Sequence, residues 1–402
     1  MNTAVGVPPV IRAARSASEG LRAVAAAFWK CAVFVWKFVV GMILCQSLVG
    51  GVLIVGWTYR LMQRTAYKRW WQRSELHVQG RSFREFIADE PVTQAHRHWP
   101  NWLVEQNALE AVRKQPFKAL VHSLCLNLRI GAQGIFNTWM LTMPGCVLMW
   151  FSWYDGWNNS FSKGYEQAVV GPLTGILGLL IFIVAMLYVP MAQARQAATG
   201  EWRSFYQFRL VRRLVLRRWP ACLGLGVLYS LFSVPILALQ IMPQFFPQMN
   251  KQSAELLAAM TEKQIADGLD GYFFVAAAVV FPAYVVLRLV AARIYATGLL
   301  AAVEEGAVAI EALAERERAA LGRLNLLQVR SAPGRHVLIR LVGTTVNWVF
   351  WGTATVVMLL VWFSFAAQIY IGQFMNYIPG LGWLNQPLVQ LPWFHHLPHA
   401  MK

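Results

Sequence analysis

Residues 171–243 read GPLTGILGLLIFIVAMLYVPMAQARQAATGEWRSFYQFRLVRRLVLRRWPACLGLGVLYSLFSVPILALQIMP: a long apolar run, a short arginine-rich segment, then a second long apolar run. Residues 167–194 are 28 positions without a formal charge, and residues 219–250 are 32. Each exceeds the roughly 20 apolar residues that cross a hydrocarbon core about 30 Å thick. In lipid such runs must be helical, because an open backbone would leave its amides unpaired. They also lack the alternation of a barrel strand. The stretch reads as a membrane hairpin.

Its connector carries Arg195, Arg203, Arg209, Arg212, Arg213, Arg217 and Arg218 against one acid, Glu201. Tyr206, Leu210 and Leu214 form one i, i+4 row and Val211 and Val215 another, while Arg209, Arg213 and Arg217 form a third. This pattern predicts a helix lying in the interface, its apolar side in the acyl boundary and its guanidinium side among anionic headgroups. The expected headgroup ligands are Arg195, Arg209, Arg212, Arg213 and Arg217, with Arg293 at the end of a later span. The alternative is a solvated basic loop that sets topology only. Nucleic acid is not an expected partner, because the basic residues alternate with large aliphatics that would have no place in water.

Composition places the whole chain in the same class. Hydrophobic residues make up 57% of its 402 positions and charged residues 14%. The net charge of +17 follows from where the arginines fall and so reports topology first. Cys31, Cys45, Cys125, Cys146 and Cys222 show no C-x-x-C spacing, and neither a disulfide framework nor a zinc site is expected. The first apolar run begins near Phe28 and continues too long for the core of a cleavable signal peptide.

The expected fold is all-α and polytopic, with about six transmembrane helices in three hairpins joined by basic amphipathic cytoplasmic segments. Residues 1–37 form an N-terminal tail with a basic surface helix. The first hairpin, 38–154, has spans at 38–59 and 130–154 around a Trp-rich connector. The second, 167–250, has spans at 167–194 and 219–243. The third, 271–372, has spans at 271–292 and 341–371 and a water-facing helix at 299–327. Residues 373–402 form an aromatic, Pro-rich tail, too short to cross again, which lies in the far interface or dips part-way in where protein covers its backbone.

Connectors 60–118, 195–218 and 288–340 carry 11, 7 and 8 basic residues, and the other two carry one and two. The rich side is cytoplasmic by the positive-inside bias, in a bacterial inner membrane. The basic N-terminal tail fits this poorly, which leaves room for an additional half-span near Cys31.

Residues 194–200 and 292–298 both fit A-R-x-x-A-T-G, each with a proline upstream, Pro190 and Pro282. Arg129, Gly134, Asn137 and Trp139 are echoed by Arg340, Gly343, Asn347 and Trp348, which suggests related hairpins. On these marks, over residues 171–348, the chain resembles bacterial multi-pass membrane proteins grouped as a domain of unknown function. The resemblance implies an inner-membrane protein without an assigned activity.

No carboxylate lies within the six proposed spans, which argues against an ion-driven transporter. Gln46, Asn137, Gln240, Asn347 and Gln368 are assigned to interhelical hydrogen bonds. His395, His396 and His399 form the densest set of metal-ligand types, but adjacent histidines diverge and no metal or other cofactor is expected. No P-loop, G-x-S-x-G or H-E-x-x-H motif is present.

The leading expectation is a non-enzymatic scaffold or accessory subunit of a membrane complex, whose arginines engage anionic lipid or other membrane subunits. A permease or channel-like transporter of a small solute is the second reading, and a dry, packed centre would count against it. The third, a lipid-modifying enzyme, needs two or more of His77, His96, His98, Asp89 and Glu90 to converge at headgroup level.

Overall fold

The computed structural model describes residues 9–88, 116–153, 169–245, 249, 251–328, 337–375 and 384–393. Among these residues the regular elements are all helices. The chain runs through α1 (Pro9–Leu44), α2 (Leu48–Trp71), α3 (Glu75–Val78), α4 (Phe83–Ala88), α5 (Pro116–Phe151) and α6 (Val170–Thr199). A 3-10 turn (Trp202–Tyr206) leads to α7 (Phe208–Arg217), α8 (Trp219–Phe245), α9 (Lys251–Ala259) and α10 (Glu262–Glu304). A second 3-10 turn (Ile310–Ala312), α11 (Glu315–Arg323) and α12 (Val337–Met375) complete the order.

Among the described residues five helical segments are long and apolar enough to cross a membrane: Ala27–Leu44, Val170–Thr199, Trp219–Pro243, Glu262–Glu304 and Gly343–Phe374. Four of them contain or overlap the expected spans at 167–194, 219–243, 271–292 and 341–371. The expected span at 38–59 is interrupted. Helix α1 stops at Leu44, and Ser47 caps α2 by accepting a 3.0 Å hydrogen bond from the Gly50 amide. A side chain at Gly50 would strike the Leu44 carbonyl, so the chain can turn this tightly only with glycine there. The crossing-length segment at this end is Ala27–Leu44, which covers Cys31. The expected span at 130–154 falls on α5, 36 residues long, which is not among the five; Asn127, Gln133, Asn137, Thr138 and Thr142 dilute its apolar character.

The outward faces identify the solvent. On α6, Leu173, Ile176, Leu177, Leu180 and Val184 make one stripe, each at least half exposed. Apolar stripes of this kind, on several sides of a bundle, belong in lipid.

Helix α10 is the axis of the bundle and packs on α1, α2, α6, α7 and α8. At 43 residues it is roughly 64 Å long at 1.5 Å per residue, so it projects beyond a hydrocarbon core. Of the expected hairpins the first is a packing pair, α2 on α5, while the helices of the other two pack heavily elsewhere. Helix α6 packs on α5, α2, α10 and α12, and α8 packs on α12 and α10. The α5–α6 crossing rests on Gly145 and Gly178, where a Cβ on either would lie 2.8 Å from the other's carbonyl oxygen. Small residues here let the backbones meet, which is how helices gain contact where lipid supplies no hydrophobic drive.

The described part of the aromatic tail, residues 384–393, lies inside the bundle, with Asn385, Gln386, Leu388, Val389, Gln390 and Leu391 all buried. The remainder of residues 376–402 is outside the described residues.

Candidate anion-binding site

One end of the bundle collects the C-terminal half of α2, the N-terminal half of α5, the C-terminus of α6, the first 3-10 turn and α11 around a cavity of about 440 Å³. Among the described residues its walls carry four guanidinium groups, Arg60, Arg129, Arg203 and Arg316, and one carboxylate, Glu201. Gln63, Gln133, Gln196 and Tyr59 supply further polar groups.

Local sequence builds this wall. Thr199-Gly200 ends α6: the Thr199 hydroxyl donates to the Arg195 carbonyl at 3.0 Å, and Gly200 turns left-handed at φ 70° with its amide on the Gln196 carbonyl at 2.9 Å. A side chain at Gly200 would displace the Arg316 guanidinium. Asn137 fixes the next turn, donating to the Gln196 amide oxygen at 3.0 Å and the Trp202 carbonyl at 2.9 Å, and accepting from Tyr206 at 3.0 Å. Arg60 donates to Asn127 at 3.1 Å, and Arg203 lies over the Trp202 ring. Among the described residues, Arg129, Arg203 and Arg316 carry no ion pair. Guanidinium forks matched to no carboxylate suit a phosphate or carboxylate ligand.

Beside this cavity lies a buried ion pair. Arg195 Nη1 is 3.1 Å from Glu317 Oε2, and both side chains are 0% exposed. Arg195 also donates to the Tyr295 hydroxyl at 3.0 Å and to Gln207 at 2.7 Å, and Tyr295 donates to Glu317. Glu317 further accepts the Ala314 amide at 3.2 Å, which caps α11. Burial pushes the Glu317 carboxyl above its usual value, opposed by the Arg195 charge. These bonds fasten α11 to α6 and α10. Arg195, expected among headgroups, is therefore placed in the protein interior.

The other expected headgroup ligands divide. Arg209, Arg212 and Arg213 are exposed on α7, and Arg293 is exposed on α10. Arg213 also donates to the Ala307 carbonyl at 3.3 Å. Arg217 is half-buried and pairs with Glu305. The apolar row of α7, Leu210, Val211 and Leu214, is buried against α6 and α10 rather than turned to acyl chains. The expected helix over 299–327 is broken, with Gly306 left-handed at φ 66° between α10 and the second 3-10 turn. That break turns Glu317 inward. The expected water-facing helix at 299–327 puts Glu317 among surface charges, and no local signal identifies Arg195, 122 positions away, as its partner.

The two A-R-x-x-A-T-G segments also differ. Gly200 ends its helix, whereas α10 continues through Gly298 to Glu304. In both, the same carbonyl accepts from α2: Ala198 from Gln63 at 3.3 Å and Tyr67 at 3.4 Å, Ala296 from Trp70 at 3.0 Å. Arg218 reaches the Thr297 carbonyl at 3.1 Å across Gly298.

Of the residues considered for hydrolysis or metal binding, His77 packs at a tilt of 54° on Trp71 with ring centroids 4.3 Å apart. Asp89, Glu90, His96, His98, His395, His396 and His399 lie outside the described residues. Among the described residues no group of three or more His, Cys, Asp or Glu side chains could hold a metal ion. Asn137 makes interhelical bonds, whereas Gln46 bonds the Met42 carbonyl of its own turn at 3.1 Å.

No protein-family model matches the chain, and no curated protein or solved structure does either. The A-R-x-x-A-T-G resemblance thus leads to no family assignment.

Proposed function

We propose that this chain is a multi-pass protein of the bacterial inner membrane that gathers anionic lipid phosphate at its cytoplasmic face and serves there as a scaffold or accessory subunit. The observation that carries the reading is the cavity of about 440 Å³ where, among the described residues, Arg60, Arg129, Arg203 and Arg316 face the single carboxylate of Glu201. Arg209, Arg212 and Arg213 extend the same positive surface along α7. A phosphate held by two such forks would gain bidentate hydrogen bonds that water cannot match in geometry. The asymmetric arginine distribution favours the cytoplasmic side for this end, and five helical segments among the described residues are long and apolar enough to cross a membrane. Residues 384–393 fill the bundle centre, which favours binding over passage in this conformation.

The test is purification of the tagged full chain from its native host in mild detergent, followed by native mass spectrometry. The reading expects retained anionic phospholipid, with a stoichiometric partner subunit in the complex. A bare chain with neither would overturn it.

A further inference from the structure

Arg288 is 0% exposed on the bundle axis. It stands five residues before Arg293 and 18 after Asp270, hence roughly 8 Å and 27 Å from those charged positions along α10. No acid occurs in residues 271–303 or 341–401, the sequence around it. Its partners are neutral. It donates to the Tyr229 hydroxyl at 2.6 Å and to the Leu388 and Val389 carbonyls, and lies 4.4 Å from the centre of the Tyr284 ring. An arginine at this depth is expensive, and in membrane proteins such residues mark ion or substrate paths.

The segment that meets it is built to sit in a bilayer without a helix. The Val389 and Gln390 amides bond back to the Gln386 carbonyl at 2.8 and 2.9 Å, and the Gln390 side chain accepts the Gln386 amide at 2.6 Å. Asn385 closes the other end by accepting the Leu391 amide at 3.1 Å and donating to the Trp393 carbonyl at 3.0 Å. Irregular backbone at this depth is tolerated where it lines or fills a cavity. Leu388, Val389, Leu391 and Trp393 pack it into the core, and its polar ties to the bundle besides Arg288 include Gln193 to Val389 at 3.3 Å, Tyr284 to the Gln390 carbonyl at 3.2 Å, and Gln390 to Thr142 at 2.7 Å.

Polar side chains lie on both sides of this point. Gln196 lines the arginine cavity, and Gln193 lies one turn deeper on α6. Beside Leu388 lies a cleft of about 20 Å³ where Ser233, Gln240, Gln368 and Gln386 stand among Ile236, Leu237 and Ile369. Two buried atoms here, Arg288 Nε and Gln193 Oε1, have no hydrogen-bond partner among the described residues. Buried polar atoms left so are costly, and each calls for a reason.

We propose that Arg288, Tyr229, Gln193 and Thr142 line a passage for small inorganic anions, and that residues 384–393 are its plug. The Leu388 and Val389 carbonyls occupy the guanidinium face that a chloride or nitrate ion would take. This adds an activity to the scaffold reading and does not depend on lipid binding in the arginine cavity.

Chloride efflux from proteoliposomes tests it. The full chain carrying Tyr284→Phe and Gln390→Ala loses two ties of the plug and keeps Arg288; a second chain lacks residues 384–402. A seated plug leaves the open form at most about 10% populated, so its removal raises efflux at least about tenfold, with the full-chain double variant in between. Adding Arg288→Gln returns either to the parent rate, and potassium efflux does not rise. Should the shortened chain fail to fold, the full-chain variant decides. Efflux at the parent level from a folded variant would overturn the proposal, as would potassium moving in step with chloride or indifference to Arg288→Gln.

Discussion

Arg195 and Arg288 are both fully buried, and their surroundings are opposite. Arg195 meets a carboxylate, a phenol and an amide, so its charge is neutralised where it sits. Arg288 meets a phenol, two backbone carbonyls and the face of an aromatic ring, so its charge is solvated but not cancelled. The first arrangement fastens one element to another. The second holds an uncancelled positive charge in the protein interior, where the field of a single charge is screened least. The difference separates a lock from a site.

The largest effects should fall on the lock. Arg195→Ala or Glu317→Ala leaves a buried charge without its partner and should lower stability by about 3–5 kcal/mol, whereas Arg195→Met with Glu317→Leu should recover most of that. Thermal unfolding in detergent reads all three, and a double variant no more stable than the singles would show that the pair contributes more than mutual neutralisation. Arg288→Gln should be milder, by about 1–3 kcal/mol, because it strands neutral acceptors and removes a buried charge at the same time. If Arg288→Gln destabilises as much as Glu317→Ala, the two arginines do not differ in kind.

The smallest effect is on pH dependence. Burial holds the Glu317 carboxyl above its ordinary 4.5, so the native chain binds this proton more tightly than the unfolded chain does. Its contribution to stability is then fully present below about 4.5 and is lost as pH rises through the raised native value. Glu317→Gln should flatten that part of the profile, and Arg288→Gln should leave it unchanged. Unfolding midpoints measured across mildly acidic buffers would separate the two.

Much of the lipid-embedded frame is legible from residue order alone. Helices α6, α8, α10 and α12 announce themselves as long runs with few or no charges, because the bilayer imposes one requirement on every such residue. Positions whose fate depends on distant neighbours are not legible in this way. The break at residues 45–47 lies in an uncharged run, and only the Ser47 cap beside Gly50 hints at it. Arg195 resembles an interfacial anchor until α11 is folded over it. The arginine cavity draws its charges from α2, α5, the turn after α6 and α11, and residues up to 256 positions apart cannot be assembled by periodicity. The 384–393 segment shows prolines and amide side chains, but the carbonyls that meet Arg288 carry no sequence signature.

The most direct measurement of the central claim, that the arginine-rich end engages anionic lipid, is phospholipid retention by the full chain in nanodiscs of mixed phosphatidylglycerol and phosphatidylcholine. Arg129→Gln, Arg203→Gln and Arg316→Gln together should weaken the preference for phosphatidylglycerol by roughly 1 kcal/mol per charge removed. Equal retention of phosphatidylglycerol by the parent and the triple variant would contradict it.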